Sequence, residues 1–335
     1  MRNKIEIFIF ILITIVCLTA TRIYVFVFTP PDVENTPKTI SVQQGASFRI
    51  IARELESNRI VTDAHKFFLL AEFKGVLKRI QAGEYEFTTS MLPIQVLDKL
   101  VRGNVKEYSI TIPEGYNIIE IAETLDAQGF IKKEEFITMS TDKSLVTSLN
   151  IDWTSIEGYL FPDTYKLTKG MNAGDIIKKM VSRFKEVYDS NLKEKARRIN
   201  LSDREVVTLA SIIEKETGNP EERYLISAVF HNRLKRGMRL ESDPTVIYGI
   251  KDFSGNITKK ELNTKTDYNT YLIYGLPPGP IASPGKAALE AAVNPADDGY
   301  IFFVSKNDGT HHFSKDLEEH NRAVNIYQRG SKNNF

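Results

Sequence analysis

The sequence predicts an α+β protein with one N-terminal transmembrane helix, a duplicated β-α unit and a C-terminal domain of mainly helical, mixed structure. Three observations support this: an unbroken apolar run near the N-terminus, an internal repeat, and well-capped helical segments after residue 200. With 335 residues, the chain is long enough for roughly two domains of about 150 residues each. Its 42% hydrophobic and 26% charged residues are typical of a globular protein with a sizeable core.

The charge balance and the cysteine content exclude several classes of protein. The formal net charge is +1, and the one dense basic cluster, within residues 193–198, is interpreted as a solvated helix face. We therefore expect no nucleic-acid partner. Cys17 is the only cysteine, which excludes an intrachain disulfide and a thiolate metal site.

The first predicted element is a transmembrane helix over residues 5–28. As a helix this apolar run is about 36 Å long, enough to cross a hydrocarbon core of about 30 Å. Arg2 and Lys4 precede it and Asp32 and Glu34 follow it, so residues 1–4 are predicted to be a cytoplasmic tail and the rest extracytoplasmic. A cleaved signal peptide is the alternative, but its apolar region is usually only about 7 to 15 residues long. The lipid bilayer is thus an expected partner.

A proline-containing linker, residues 29–38, leads into two copies of one unit, residues 39–108 and 109–200. Each copy is predicted to form a short strand, a turn at glycine and an amphipathic helix. The match appears at a shift of 70 positions, where Ile40-x-Val42-x-x-Gly45 aligns with Ile110-x-Ile112-x-x-Gly115.

The second copy contains an insertion at residues 155–164, because the similarity resumes there with a shift of 80. The insertion is acidic and aromatic, and includes Glu157 and Tyr159. Loops added to a repeated scaffold often carry function. The alternative is a structural lid over a hydrophobic edge, and the sequence does not choose between them.

The remaining segment, residues 201–330, is predicted to be the catalytic domain. Ser202 and Glu205 form a capping box that predicts a helix over residues 202–217, ended by Gly218. Asn219 and Glu222 predict a second helix over residues 220–236. Further elements are a helix from Ser283-Pro284 to about Val293, a β-hairpin from Tyr300–Val304 to His312-Phe313, and a last helix from about Asp316.

The helix over residues 202–217 carries two glutamates among apolar residues. At about 100° per residue, Glu214 and Glu216 fall on opposite edges of its apolar face. Each would be partly desolvated, and its pKa could therefore be raised. Both could instead be structural partners of cations such as Lys215 or Arg223, and the spacing does not choose between the two carboxyls.

The motifs present and absent in the rest of the sequence limit the reactions that the protein could catalyse. No G-x-S-x-G or H-E-x-x-H motif or phosphate-binding glycine loop occurs, so neither a metal nor a cofactor is expected. Carboxylates beside loops rich in Tyr, Asn, Pro and Gly are typical of a carbohydrate groove. A hydrolase would usually place two carboxyls about 5 to 9.5 Å apart, whereas a single acid suffices where the substrate supplies its own nucleophile.

Several long blocks in this order closely resemble the MltG family of endolytic murein transglycosylases, also called YceG-like. The resemblance extends from the anchor to about residue 328 and implies that the duplicated β-α units are LysM-like. The blocks are EGYLFPDTY from Glu157, LASIIEKET from Leu209, VFHNRLKRGMRLESDPTVIYG from Val229, YNTY from Tyr268, GLPPGPIASPG from Gly275 and HHFSKDLEEHN from His311.

The resemblance implies a lytic transglycosylase that cleaves the β-1,4 bond between MurNAc and GlcNAc within peptidoglycan strands. The products would carry 1,6-anhydroMurNAc ends, and cleavage would terminate the elongation of nascent strands. The family's essential acid matches Glu214. Protonated Glu214 would donate to the glycosidic oxygen and then, as a carboxylate, accept the proton of the muramic 6-hydroxyl.

Supporting roles are assigned to other residues of the matched blocks. Asp243, Tyr268 and Asn269 are expected to position the substrate or to polarise the 6-hydroxyl. Expected to line the groove or support Glu214 are Glu157, Tyr159, Glu216 and His312. For each, a structural role in a tight loop is the alternative.

The resemblance also implies a cellular setting. We expect a single-pass protein of the bacterial inner membrane whose N-terminus is cytoplasmic and whose catalytic part is extracytoplasmic. Its expected partners are peptidoglycan strands and, as candidates, cell-wall synthases. The rival hypothesis is a membrane-tethered scaffold that binds glycan and recruits synthases without activity of its own.

Overall fold

The computed structural model describes residues 2–43, 45–250, 253 and 255–329, and these separate into two compact units. One unit contains the residues up to Ser109 together with Lys166–Met171; the other contains Ile110–Tyr165 and the described residues after Asn172. The protein is of mixed α and β structure, and the described residues contain one helix, at the N-terminus, that is long and apolar enough to cross a membrane. Met1, at the end of the predicted cytoplasmic tail, lies outside the described residues.

The N-terminal helix α1 is Arg2–Phe28. Its segment Ile7–Phe28 is long and apolar enough to cross a membrane, and most of its side chains are exposed. Thr14, Thr19 and Thr21 donate their hydroxyls to carbonyls one turn earlier, which satisfies these polar groups within the apolar helix. The surface of the helix is therefore largely apolar, with Arg22 as an exposed charged residue within it.

The first repeat is a β-α-α-β-α segment around its own core. Its strands pair antiparallel, with Ile40 opposite Tyr85. Alternate residues of β2 point into the core, where Tyr85 and Phe87 are fully buried and their rings stack at 5.7 Å. The elements are β1 (Pro37–Val42), α2 (Phe48–Ser57), α3 (Ala64–Phe73), β2 (Gly83–Thr88) and α4 (Pro93–Arg102).

The following segment has a similar order of elements. Helix α2, Phe48–Ser57, corresponds at a shift of 70 to α5, Ile118–Ala127, and residues 155–163 of the predicted insertion form an irregular stretch that precedes β4. Strands β3 and β4 pair with each other, and the division between the two units falls within both. The elements are β3 (Glu107–Thr111), α5 (Ile118–Ala127), α6 (Lys133–Ser140), α7 (Lys143–Ser148), β4 (Thr164–Thr168) and α8 (Ala173–Val187).

The C-terminal segment is arranged around α10, whose residues from Val206 to Ile213 are all buried. Helices α9, α11, α12 and α14 pack against it. The elements are α9 (Ser190–Arg198), α10 (Asp203–Glu216), α11 (Arg223–Lys235), α12 (Asp243–Gly249), α13 (Lys259–Leu262), α14 (Lys286–Val293), β5 (Phe302–Ser305), β6 (His311–Ser314), α15 (Leu317–Val324) and a terminal π-helical turn (Asn325–Arg329).

Two helix starts differ from the sequence prediction. Helix α11 begins at Arg223 rather than Pro220, because Asn219 Oδ1 accepts the N–H of Glu221 in a turn and does not cap the helix. Helix α14 begins at Lys286 rather than at Ser283-Pro284. The backbone of Ser283 is instead bonded to the loop before α5, accepting from the N–H of Gly115 and donating to the carbonyl of Tyr116. These two hydrogen bonds hold the loop before α14 against the loop before α5.

Candidate active site

Helix α10 carries Glu214 in its last turn. The capping box predicted at its start is present: the backbone N–H of Ser202 donates to Glu205 Oε2 at 2.8 Å, and the backbone N–H of Glu205 donates to Ser202 Oγ at 3.3 Å. Thr217 is the C-cap and has extended backbone, so the helix ends directly after the two glutamates. A rigid, buried helix thus holds the Glu214 carboxyl at its end.

The Glu214 side chain is only 5% exposed and has two hydrogen-bond donors. Arg223 Nη2, from the first residue of α11, lies 3.1 Å from Oε1. The backbone N–H of Gly285, the N-cap of α14, donates to Oε2 at 2.8 Å. A carboxylate at a helix N-terminus is stabilised by the helix dipole and the free N–H groups.

A second carboxyl, that of Glu114, lies beside this pair. Its Oε2 is 3.7 Å from the same Arg223 Nη2, and its side chain is half exposed. A Cβ on Gly285 would lie 1.9 Å from Glu114 Oε1, so glycine at this position leaves the space that Glu114 occupies. The guanidinium of Arg223 therefore contacts two carboxyls, the buried one of Glu214 and the solvent-accessible one of Glu114.

Burial raises the pKa of Glu214, and the negative charge of Glu114 raises it further. The Gly285 N–H and the Arg223 guanidinium act in the opposite direction, but they do not outweigh desolvation. Desolvation therefore favours the protonated form of Glu214, while the two hydrogen-bond donors stabilise its carboxylate form. A group that gives up a proton and later takes one back needs this balance.

Glu216 lies on the other edge of α10 and belongs to a different cluster. Its Oε1 accepts the hydroxyl of Ser242, and burial raises its pKa to about 7. Asp243 contributes to that raised pKa, and Asp243 Oδ1 in turn accepts the hydroxyl of Tyr271 at 2.7 Å. Glu216 thus joins α10 to the start of α12.

Glu157 forms a third acidic site, at the N-terminus of α5. Its carboxyl accepts the backbone N–H of Ile118 at 3.2 Å and the hydroxyl of Tyr248 at 3.1 Å. Burial raises its pKa to about 7. The ring of Tyr268 lies 4.9 Å from that of Tyr248, so two of the predicted groove residues, Glu157 and Tyr268, contact one tyrosine.

Glycine fixes the position of the loop that carries Glu157. Gly158 has a φ of +82°, and a Cβ there would lie 2.4 Å from Pro280 Cβ. The inserted loop thus packs closely against the Pro-Gly loop that leads to Gly285. Both loops of the predicted groove lie in the same unit as Glu214.

The other predicted residues have structural contacts. Tyr159 is buried edge-on against Phe184 and lines a cavity of about 300 Å³ with Asp203 and Arg204. Asn269 is fully buried; its side chain donates to the carbonyls of Leu262 and Thr264 and accepts the N–H of Tyr271. His312 lies in β6, with Nε2 3.8 Å from Glu319 Oε1. Each of these three side chains thus has contacts within the protein, and its role in substrate binding stays a prediction.

Three residues of the site are not among the site residues predicted from the sequence. Glu114 occupies the turn of the second repeat, at the position where the first copy has Gln44, and this change from amide to acid was the available signal. Gly285 follows Ser-Pro and was taken as part of a helix. Arg223 was considered only as a structural partner. Within the described residues no group of His, Cys, Asp and Glu side chains is arranged to hold a metal ion.

Comparisons with known proteins place this geometry in context. The model of the YceG-like family matches residues 40–326. The chain is 32% identical over 317 residues to the endolytic murein transglycosylase of Bacillus subtilis, covering 88% of this chain and 87% of that protein. It is 31% identical over 321 residues to the endolytic murein transglycosylase of Streptococcus pneumoniae R6, covering 85% of this chain but only 57% of the pneumococcal protein.

A solved structure is also similar. The crystal structure of a yceG-like protein from Listeria monocytogenes superposes with a TM-score of 0.59 and 31% sequence identity, covering 86% of this chain and 99% of that one. The similarity thus extends over most of the chain and includes all three acidic sites.

Proposed function

The chain belongs to the YceG-like family and is a lytic transglycosylase, and from that premise we propose a membrane-anchored enzyme that cleaves within peptidoglycan strands with Glu214 as its acid. The bond cleaved is the β-1,4 linkage between MurNAc and GlcNAc. The observation that carries the proposal is the Glu214 carboxyl, which is 5% exposed, has a raised pKa and is held between a guanidinium and a helix N-terminus.

In the first step protonated Glu214 donates its proton to the glycosidic oxygen, and that C–O bond breaks as positive charge develops at C1 of the muramic sugar. Desolvation supplies the protonated form, as in other glycosidases that use a carboxyl of raised pKa. The carboxylate left behind keeps the Arg223 and Gly285 donors, which stabilise its new charge.

In the second step the carboxylate accepts the proton of the muramic 6-hydroxyl while that oxygen bonds to C1. The product is a 1,6-anhydro end, water is not consumed, and Glu214 returns to its protonated form. One carboxyl can perform both steps because the two transfers occur on the same side of the sugar. Glu216 bonds to Ser242 rather than to this site, which supports the choice of Glu214.

Groove positions are proposed for residues near the Tyr248 ring. Tyr268 and Tyr248, whose rings are tilted at 58° to each other, offer aromatic surface for a sugar ring, and Glu157 accepts the Tyr248 hydroxyl. Asp243 and Glu216 support the α10–α12 junction through Ser242 and Tyr271. Asn269, by contrast, is proposed to hold its loop rather than to contact glycan.

The cellular setting is also a proposal. The apolar segment Ile7–Phe28 supports a single-pass anchor, with the enzyme on the extracytoplasmic side of the inner membrane. The two segments of similar element order support LysM-like repeats that bind glycan. An endolytic enzyme held at the membrane would cut new strands and so terminate their elongation, and synthases are the expected partners.

The test is product analysis with the full chain in detergent and uncrosslinked glycan strands. Wild type is expected to yield anhydro-muramic ends, and Glu214→Gln to lose at least about a thousandfold in rate, because an amide donates no proton. The matched control, Glu216→Gln, changes the neighbouring carboxyl on the same helix and is expected to retain most activity.

Three outcomes would contradict parts of this proposal. Full activity of Glu214→Gln would remove the site assignment. Absence of product from wild type at any concentration would favour the non-catalytic scaffold. Reducing ends in place of anhydro ends would mean hydrolysis, and Glu114, which shares Arg223 with Glu214, would then be the second carboxyl to examine.

A further inference from the structure

An apolar cavity of about 860 Å³ lies between the C-terminal part of α1 and the first repeat. Both belong to the same compact unit. Its wall is formed by α1 on one side and by α3 and the start of α4 on the other, and its apolar residues include Tyr24, Val27, Phe28, Leu69, Phe73 and Ile94.

The end of α1 is fixed to the repeat rather than free. Phe26 and Val27 are each only 7% exposed and belong to the hydrophobic core that also contains Phe48 and Phe67. The Lys66 ammonium lies 5.9 Å from the centre of the Phe26 ring. Helix α3 therefore runs directly beside the last turns of α1.

The cavity extends along the segment proposed to cross the membrane. It is bounded on α1 from Ala20 to Phe28, which corresponds to about 12 Å of helix. All of these residues belong to the span Ile7–Phe28. If that span crosses the bilayer, the cavity opens at the depth of the upper acyl chains and the first repeat lies against the membrane surface.

The exposed residues at the rim have the composition of a membrane interface. Phe73 is 91% exposed, Leu69 44% and Phe28 52%, and these three apolar side chains line the same cavity. Exposed apolar residues that cluster in this way are typical of an interaction site. Lys66 and Lys74 lie at the rim with one acidic residue, Glu72. Lys66 also pairs with Asp63 at 3.1 Å. Lysines above an apolar patch match the phosphates above the acyl chains of anionic lipids.

We propose that this cavity is a binding site for the acyl chains of phospholipids in the extracytoplasmic leaflet, with α3 inserted into the interface through Leu69 and Phe73. The inference rests on the proposed membrane anchor and is independent of the chemistry at Glu214. Its consequence is that the first repeat is held at the membrane surface in a fixed orientation rather than tethered by a flexible stalk.

The test uses the full chain in phosphatidylcholine/phosphatidylglycerol nanodiscs containing lipids with a spin label at carbon 5. Trp153 is the only tryptophan, and Trp153→Phe gives a silent background. Phe73→Trp places the reporter at the rim of the cavity. Tyr24→Trp reports on the anchor, and Ile50→Trp, 59% exposed on α2, is the matched surface control. All variants are checked for unchanged formation of anhydro-muramic product.

The expected result is quenching of the indole at position 73 at least twofold stronger than at position 50. Strong quenching at position 24 with none above the control at position 73 would overturn the lipid site while leaving the anchor intact. No quenching at position 24 would overturn the anchor and the lipid site together, while the product assay still reports on catalysis. Cross-linking of Phe73→Cys to a second chain, without quenching at position 73, would assign the cavity to self-association and overturn the lipid site.

Discussion

Burial is the main cause of the raised pKa of Glu214, and two neighbours of opposite charge modify it. Glu114 raises its pKa through an unfavourable interaction with the carboxylate, and Arg223 lowers it through an ion pair at 3.1 Å. Glu114 is half exposed, so part of its effect is screened by solvent, whereas the Arg223–Glu214 contact is buried. Because the acid step needs the protonated form, both neighbours should act on the upper limb of the pH–rate profile.

Glu114→Gln is predicted to move the basic limb of kcat/KM to lower pH. The substitution removes a negative charge and releases Arg223 to pair with Glu214 alone, and both effects lower the pKa of Glu214. The acid would then deprotonate, and the rate fall, at a lower pH than in wild type. The shift is measured as the pH dependence of kcat/KM for the formation of anhydro-muramic ends from glycan strands.

Arg223→Gln is predicted to shift the basic limb of kcat/KM in the opposite direction. Removing the cation raises the pKa of Glu214, so the basic limb should move to higher pH, although the maximal rate falls because the carboxylate loses a donor. If both variants moved the limb in the same direction, electrostatic control of Glu214 by this trio would be wrong. Glu318→Gln, a change at a carboxyl that is 84% exposed, should leave the profile unchanged.

At the scale of the elements, α11 connects the site to the hairpin β5–β6. Arg223 stands at its first turn and contacts Glu214, while Arg233 near its end is buried and donates to backbone carbonyls. The Arg233 guanidinium reaches the carbonyls of Ile301 at 2.7 Å and Leu240 at 2.8 Å, and Glu241 Oε2 at 3.1 Å. One helix thus positions a site residue at one end through an arginine clamp at the other.

Arg233→Met is predicted to lower the free energy of unfolding by about 3 to 5 kcal/mol. The thioether fills part of the volume but leaves buried carbonyls without donors, and each such loss costs about 1 to 3 kcal/mol. Urea unfolding of the full chain in detergent, followed by Trp153 fluorescence, measures the change. Arg236→Met, at an exposed position one turn on, should change it by less than about 0.5 kcal/mol. Equal effects of the two would refute the clamp.

A helix end can be predicted from the sequence when residues close to it in the chain determine where the helix begins or ends. Helix α10 was predicted at nearly its observed bounds and the last helix at its observed start, because caps within four residues define them. The predicted start of α11 was wrong because Asn219 forms a local turn with Glu221 instead of a cap, and that of α14 was wrong because tertiary bonds decide it. Ser283 is hydrogen-bonded to the loop at Gly115, about 170 positions earlier in the sequence, and helical periodicity contains no information about that contact.

The candidate site shows the same limit. Sequence periodicity placed Glu214 at an apolar edge, a position that predicts partial desolvation, and burial does raise its pKa in the structure. The approach of Glu114 and Gly285 depends on the loop before α5 meeting the loop before α14, so no local pattern could predict it. The choice of Glu214 over Glu216 came from the family resemblance, and it remains a prediction that the variant pair must test.

At the scale of the whole molecule, the buried carboxyls give folding a particular pH dependence. Burial raises the pKa of Glu157 and of Glu216 from 4.5 to about 7 in the folded protein. Such a group binds its proton more tightly when folded, so its contribution to stability is full below pH 4.5 and is lost as the pH rises towards 7. Glu214, whose pKa is also raised, acts in the same direction.

We therefore predict that the full chain in detergent loses stability between pH 5 and pH 8, and that Glu157→Gln and Glu216→Gln each flatten this fall. A shift of that size corresponds to at most about 3 kcal/mol per carboxyl. Glutamine keeps an acceptor for the Ile118 N–H in one case and for the Ser242 hydroxyl in the other, so it imitates the protonated acid. Urea midpoints across the pH range measure the effect.

Because the two carboxyls lie in separate clusters, their effects should add in the double variant. A double variant that falls as steeply as wild type would show that these glutamates are ionised in the folded protein and that other groups set its pH dependence.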